Sequence, residues 1–276
     1  MNREIKILMK LKNIFGPNFQ VEPFDREKLN GVKKSGICIR KKDEEIGVVF
    51  YYDNFPDDPD EAVDYILVAY VETHDEARKA FHSLIDYNRI KKHIRLKLFN
   101  KNWNKDYLED FVYINTVDDL TIGAWLEIPY TDDLYTQIRI NKKICEEWGV
   151  SDTQVIEDGF KNFAEDKTKM YYSSFFPGLY VFTNEEKHDG AIRILDREAV
   201  KQAAQELDDD LYFLPSSIHE WMVIPAKEVY SIWVLQEIVK SANQEVVAPE
   251  ERLGENVYFY NREEDTLGMV EDDNVR

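Results

Sequence analysis

Residues 179–183 and 191–195 both read as strands, and only residues 184–190 separate them. A connection that short closes an antiparallel hairpin, whereas parallel neighbours need a crossover of about a dozen residues or more. The chain is therefore constrained to a sheet that is at least partly antiparallel. Helical patterns at 196–207 and 226–242 interleave with strand patterns at 212–214, 218–224 and 257–260. The expected class is α+β, a mixed and largely antiparallel sheet with flanking helices.

The rest of the chain follows the same rhythm. Residues 4–15 are spaced as a helix that Gly16 and Pro17 end, and 32–39 with 45–52 read as a strand pair turning at the charged run 41–44. After a Pro- and Asp-rich break at 54–60, residues 62–71 form a one-sided helix, and Thr73 with Glu76 makes a capping box that predicts a second one. Strands are expected at 111–114, 120–128 and 134–140, with a turn at Asp132 and Asp133. A short helix over 141–147, a break at Gly149 and a Ser151–Gln154 capping box lead into a helix ending at 163. The acidic tail from Glu263 on is expected to fray. With 276 residues the chain divides most naturally into two α+β halves packed together, 1–130 and 131–276.

Charge is also unevenly spread along the chain. Residues 1–105 hold 20 Lys and Arg against 17 Asp and Glu, while 106–276 hold 15 against 37, a net of −22. So negative a surface repels phosphate backbones and excludes general nucleic-acid binding. One stretch runs the other way: Arg89, Lys91, Lys92, Arg95 and Lys97 form a candidate basic patch. It could stack a nucleic acid or dock an acidic partner, but Ile94, Leu96 and Leu98 alternate with Arg95 and Lys97 as on a strand with one solvated face, and that reading is favoured. No run approaches 18 uncharged apolar residues, and Arg3, Glu4 and Lys6 stand where a signal peptide carries its apolar core. The expectation is a cytoplasmic protein with no membrane partner. Cys38 and Cys145 are too few for a disulfide framework or a thiolate metal site and are expected to be buried thiols.

The segment 214–225 (LPSSIHEWMVIP) concentrates the chemistry. Ser216 or Ser217 activated by His219 and oriented by Glu220 would make a nucleophile, yet along an extended strand Ser217 and His219 face one side and Glu220 the other. A metal site would need further ligands from elsewhere, and the other histidines are His74, His82, His93 and His188. The favoured role of His219 is structural, hydrogen-bonded at a strand end. The run Glu185, Glu186, Lys187 echoes half of a metal-dependent nuclease site without its partner acid, Asp208 to Asp210 read as a solvated turn, and no phosphate-binding glycine motif occurs. No cofactor and no metal ligand is assigned.

That segment, with 30–37 (NGVKKSGI), Trp148-Gly149-Val150 with Asn162, 179–184 (LYVFTN) with Gly190 and Ala191, and 250–258 (EERLGENVY), resembles a large family of uncharacterised proteins from Gram-positive bacteria known only as a domain of unknown function. Trp148 to Ser151 and the helix after them are more distantly similar to the YtpQ-like family. The resemblance implies one intact family domain in a bacterial cytoplasm and supplies no catalytic residues. Trp221 and Met222 depart from the small aliphatic residues expected there.

Three functions remain open on these residues. The leading one is a non-enzymatic binding or regulatory protein that turns its acidic surface to a basic protein partner, in the extreme as a mimic of a phosphate backbone. The alternative is a hydrolase or nucleotide-processing enzyme using His219 and a carboxylate. The third is a structural or oligomeric role, signalled by an apolar patch around Trp221, Tyr230 and Trp233.

Overall fold

A computed structural model describes residues 2–44, 47–83, 86–129, 135–173, 178–229 and 231–270. The chain forms two compact units, Met1–Ile90 with Glu127–Gln137, and Lys91–Leu126 with Ile138–Arg276. Both are α+β, and the strand pairings among the described residues are antiparallel. No described helix is long and apolar enough to cross a membrane.

In the first unit α1 (Arg3–Phe15) starts at Asn2, whose side chain accepts from the Glu4 amide, and buries Ile7 and Leu11. β1 (Phe19–Glu27), β2 (Lys33–Lys41) and β3 (Gly47–Tyr51) follow in that order across a three-stranded sheet. β1 escapes the sequence pattern because it is an edge strand interrupted by Pro23, which an edge tolerates. Its turn into β2 places Asn30 and Gly31 at φ of 60° and 69°, the left-handed pair that an Asn-Gly hairpin turn requires.

α2 (Pro59–Ser83) is one helix of 25 residues, about 37 Å long at 1.5 Å per residue, where two were expected. No Gly or Pro interrupts residues 60–83, so the Thr73–Glu76 box lies within a continuing helix. Its start is capped by Asp58, which accepts from the amides of Asp60 (2.8 Å) and Glu61 (3.2 Å). Ala62, Val63, Ile66 and Tyr70 of α2 meet Ile37, Ile39 and Phe50 of the sheet in the core. α3 (Tyr87–Ile90) closes this part of the chain.

Next along the chain come β4 (Ile94–Asn100), β5 (Tyr113–Asn115) and β6 (Leu120–Pro129), with β6 between the other two and also paired to β7 (Tyr135–Arg139). The expected turn residues Asp132 and Asp133 and the strand start at Leu134 lie outside the described residues. α4 (Lys142–Trp148) ends on left-handed Gly149, and Ser151 caps α5 (Asp152–Glu165) by accepting from the Gln154 amide, as the capping box predicts. α5 packs on β4, and Asn162 donates to the carbonyls of Lys91 and Ile94 (2.8 and 2.9 Å).

β8 (Thr168–Tyr172) and β9 (Tyr180–Asn184) then lead, through a 3-10 helix at Gly190–Leu195, to α6 (Arg197–Leu207). β10 (Leu211–Ser217), β11 (Glu220–Pro225), α7 (Ile232–Glu245), β12 (Tyr258–Asn261) and β13 (Thr266–Met269) complete the unit. The sheet runs β13-β12-β10-β11-β9-β8, and α7 covers it with Leu235 and Val239 against Leu214 and Val257. The expected strand at 191–195 is thus a 3-10 helix, and β9 pairs with β8 and β11 instead. Ala191 to Ile194 are buried all round, so their apolar run carries no period that separates strand from helix. The tail is ordered further than expected, since Thr266–Met269 pairs with β12. Residues 271–276 lie outside the described residues.

Cys145 is buried and its thiol is pushed up to about 11 by burial and by Asp152, whereas Cys38 is half-buried rather than fully so. Trp221 is fully buried and Trp233 is 61% exposed. Tyr230 lies outside the described residues.

Candidate functional site at the His219 turn

The segment 214–225 folds as a hairpin. Ile218 and His219 are the two residues between β10 and β11, with Ser217 opposite Glu220 and a register shift between Pro215 and Ser217. The expected strand from 218 therefore begins at Glu220. This turn carries no Gly or Asn because remote segments bind its backbone: the Ile218 amide donates to the Glu251 carbonyl (2.8 Å), and the Ile218 carbonyl accepts from the Ala191 amide (3.1 Å). Thr183 Oγ1 donates to the His219 carbonyl (2.7 Å), and the His219 amide donates to Ser217 Oγ (3.1 Å). Trp221 beneath it donates its indole N–H to the Ala191 carbonyl (2.7 Å).

So fixed, the His219 imidazole faces the loop after β9. Its Nδ1 accepts from the Asp189 amide (2.9 Å) and lies 3.7 Å from Asp189 Oδ1, while its Nε2 lies 3.5 Å from Glu251 Oε1. In the neutral ring the lone pair is thereby on Nδ1 and the proton on Nε2. The His188 ring is 4.9 Å away and tilted by 33°, and His188 Nε2 is 3.0 Å from Asp189 Oδ2. The Lys97 ammonium, reaching in from β4 and lying 5.4 Å from the Trp125 ring centroid, pairs with that same Oδ2.

Asp189 and Lys97 are both buried. Burial alone would raise the Asp189 carboxyl, but the hydrogen bond from His188 and the Lys97 charge outweigh it and hold the group well below the usual carboxylate range. Asp189 takes a left-handed φ of 51°, and Gly190 beside it has no room for a side chain: an added Cβ would stand 2.1 Å from Thr183 Oγ1 and 2.7 Å from the His219 carbonyl oxygen.

Ser216, Ser217 and Glu220 are placed differently from a nucleophilic site. Ser216 Oγ is 3.4 Å from Glu220 Oε1, and Ser217 Oγ receives the His219 amide. The carboxylates that approach the imidazole are Asp189 and Glu251, which no local motif near His219 announces. The signal for Asp189 was its neighbour: an Asp-Gly dipeptide marks a turn, here directly after a histidine.

Of the candidate basic patch, Arg89, Lys92 and Arg95 are exposed, Lys91 is half-buried and Lys97 is buried. Arg89 lies 3.3 Å from Asp86, and Arg95 donates to the Lys92 carbonyl (3.0 Å). The expected solvated strand face holds for Arg95 and fails for Lys97, which Asp189 draws inward.

Elsewhere the buried polar groups serve the fold. Arg193 donates to Thr168 Oγ1 (2.8 Å), the Phe163 carbonyl (2.7 Å) and Asp196 Oδ2 (2.7 Å), with its guanidinium 3.8 Å from the Phe163 ring centroid. Asp119 accepts from Asn100 (2.7 Å), Asn256 (3.0 Å) and the Tyr258 hydroxyl, tying β4 and β6 to the approach to β12. Asp208 pairs with Arg262 (2.7 Å), and Asp209 and Asp210 accept from the Lys227 and Arg262 amides, so this run is a fastening and not only a solvated turn.

The model of a family described as being of unknown function (DUF5688) matches residues 4–172 and 163–262. This bears out the likeness to a domain of unknown function, and nothing extends it to the YtpQ-like family. No curated protein and no solved structure matches the chain.

Proposed function

The chain belongs to this family of unknown function, and from that premise we propose that it is a non-enzymatic binding or regulatory protein whose acidic C-terminal region engages a basic protein partner in the cytoplasm. One observation carries the reading: basic side chains of the second unit are committed to its own acids. Lys97 and Arg193 are buried in ion pairs, Arg197 and Lys201 share Asp265, Arg262 holds Asp208, and Lys161 holds Asp158. The second unit holds 21 Lys and Arg against 34 Asp and Glu, so its carboxylates outnumber its own cations, and Glu157, Glu165, Glu186 and Glu255 are exposed. Such a surface raises encounter rates with a cationic partner and disfavours anionic ones. A partner that itself binds nucleic acid would meet these carboxylates in place of phosphates.

The test is capture of partners on the immobilised full chain at low salt. Basic proteins should be retained and should elute between low and physiological salt, because exposed charges are screened within about 10 Å at 0.1 M. Partners that stay bound regardless of salt overturn the reading.

A second reading, a hydrolase or nucleotide-processing enzyme, is favoured by the approach of His219 to within 4 Å of both Asp189 and Glu251. There the imidazole would act as general base once its Nδ1 is released from the Asp189 amide. Turnover of simple ester or phosphodiester substrates that disappears in His219→Ala supports it. A variant that loses stability while no activity changes leaves His219 structural.

A further inference from the structure

We propose that His188, Asp189 and His219 form a site for a first-row divalent d-block cation, with Zn²⁺ as the type. The proposal goes beyond the binding function above and does not depend on it. One ligand atom from each residue lies within 4.8 Å of the other two. The two imidazoles approach the two oxygens of one carboxylate, His188 Nε2 at 3.0 Å from Asp189 Oδ2 and His219 Nδ1 at 3.7 Å from Asp189 Oδ1. Bonds of about 2.0–2.2 Å to a tetrahedral zinc place its ligands roughly 3.3–3.6 Å apart, so small side-chain adjustments admit the ion. Two imidazoles and a carboxylate suit Zn²⁺, Co²⁺ or Ni²⁺, whereas Mg²⁺ and Ca²⁺ prefer all-oxygen sites. These three protein ligands leave a fourth position for water or another small ligand.

The surroundings supply what such a donor set needs. His219 would bind through Nδ1, which is already unprotonated because it accepts the Asp189 amide. Its other nitrogen faces Glu251 Oε1 at 3.5 Å, the carboxylate–histidine–metal relay that orients a ligating imidazole and raises its basicity. The Lys97 ammonium on Asp189 Oδ2 fixes the carboxylate while Oδ1 faces His219. Loading replaces two hydrogen bonds, from the Asp189 amide to His219 and from His188 to Asp189. It also requires His188 to give up its Nε2 proton, either to its own Nδ1 or to solvent. The Lys97 charge opposes the incoming cation and so limits affinity. This departs from the sequence expectation of no metal, which lacked Asp189 as a ligand.

The experiment titrates the metal-free full chain with ZnCl₂ by calorimetry and with CoCl₂ by visible absorption, in excess Mg²⁺ so that surface carboxylates do not report. One equivalent should bind, with Co²⁺ giving a ligand-field band of low-symmetry character. His188→Ala should weaken binding at least tenfold and His219→Ala likewise, while Glu251→Gln should weaken it about 10- to 100-fold. His188 is partly exposed, so its variant keeps the test meaningful if His219→Ala disturbs the turn, with circular dichroism confirming the fold. A folded wild type that binds neither ion, or binding undiminished in His188→Ala, overturns the proposal.

Discussion

Lys97 and Asp189 bury opposite charges against each other, one in β4 and the other at the left-handed residue that opens the 3-10 helix Gly190–Leu195. A pair of this kind adds little over two apolar groups, but breaking it strands a charge in the interior. Asp189→Asn, which keeps the left-handed backbone accessible, should cost about 3–5 kcal/mol by leaving Lys97 without its counter-ion. Lys97→Met combined with Asp189→Asn should recover much of that loss in urea unfolding. Additive single and double variants would remove the coupling.

The same carboxyl sets an acid limit. Because its folded value lies below the unfolded one, its contribution is complete above about pH 4 and is lost as pH falls through the folded value. Stability measured from pH 7 downward should therefore drop in acid, and Asp189→Asn should flatten that drop. Identical acid profiles for wild type and variant would count against the assignment.

Gly190→Ala should be costly although the position needs no special backbone angle, because the new methyl meets Thr183 Oγ1, the Asn184 amide nitrogen and the His219 carbonyl oxygen within 2.1–2.7 Å. Overpacking of this sort costs about 1–3 kcal/mol. Gly254→Ala, whose nearest neighbour is Asn100 Nδ2 at 3.6 Å, is the matched control and should be close to neutral in thermal unfolding.

Burial and the neighbouring Asp119 carboxylate push the Tyr258 phenol far above the usual tyrosine range. A raised value means that its contribution is whole below about pH 10 and is lost as pH rises beyond that. Ultraviolet titration should show one tyrosine ionising only with alkaline unfolding. Tyr258→Phe should abolish that signature and cost about 1.5–3 kcal/mol, the range for a hydrogen bond to a charged group.

The class of fold and most elements could be read from periodicity. Ser151 and Gln154 announced α5, and Gly16 the end of α1, because these signals act within a few residues. β1 was missed although Asn30-Gly31 marked its hairpin, since Pro23 argues against an interior strand and cannot say that the strand lies at an edge. The 3-10 helix at Gly190–Leu195 was misread because complete burial erases the contrast between faces. At the site, His219 stood out but its surroundings did not. Lys97, the pair His188-Asp189 and Glu251 come from three separate stretches of chain; strand pairing sets β9 beside the hairpin, a backbone bond from Ile218 holds Glu251, and Lys97 reaches in from β4.

The two-residue turn between Ser217 and Glu220 also dictates how this protein can vary. Side chains alternate across a sheet with a period of two, so inserting a single residue there would slip β11 by one place and send Trp221 outward. Substitutions at Ile218 other than proline leave the bond to the Glu251 carbonyl and the bond from the Ala191 amide intact, since both engage backbone atoms. Loop length, more than loop composition, is what natural diversification of this hairpin must preserve.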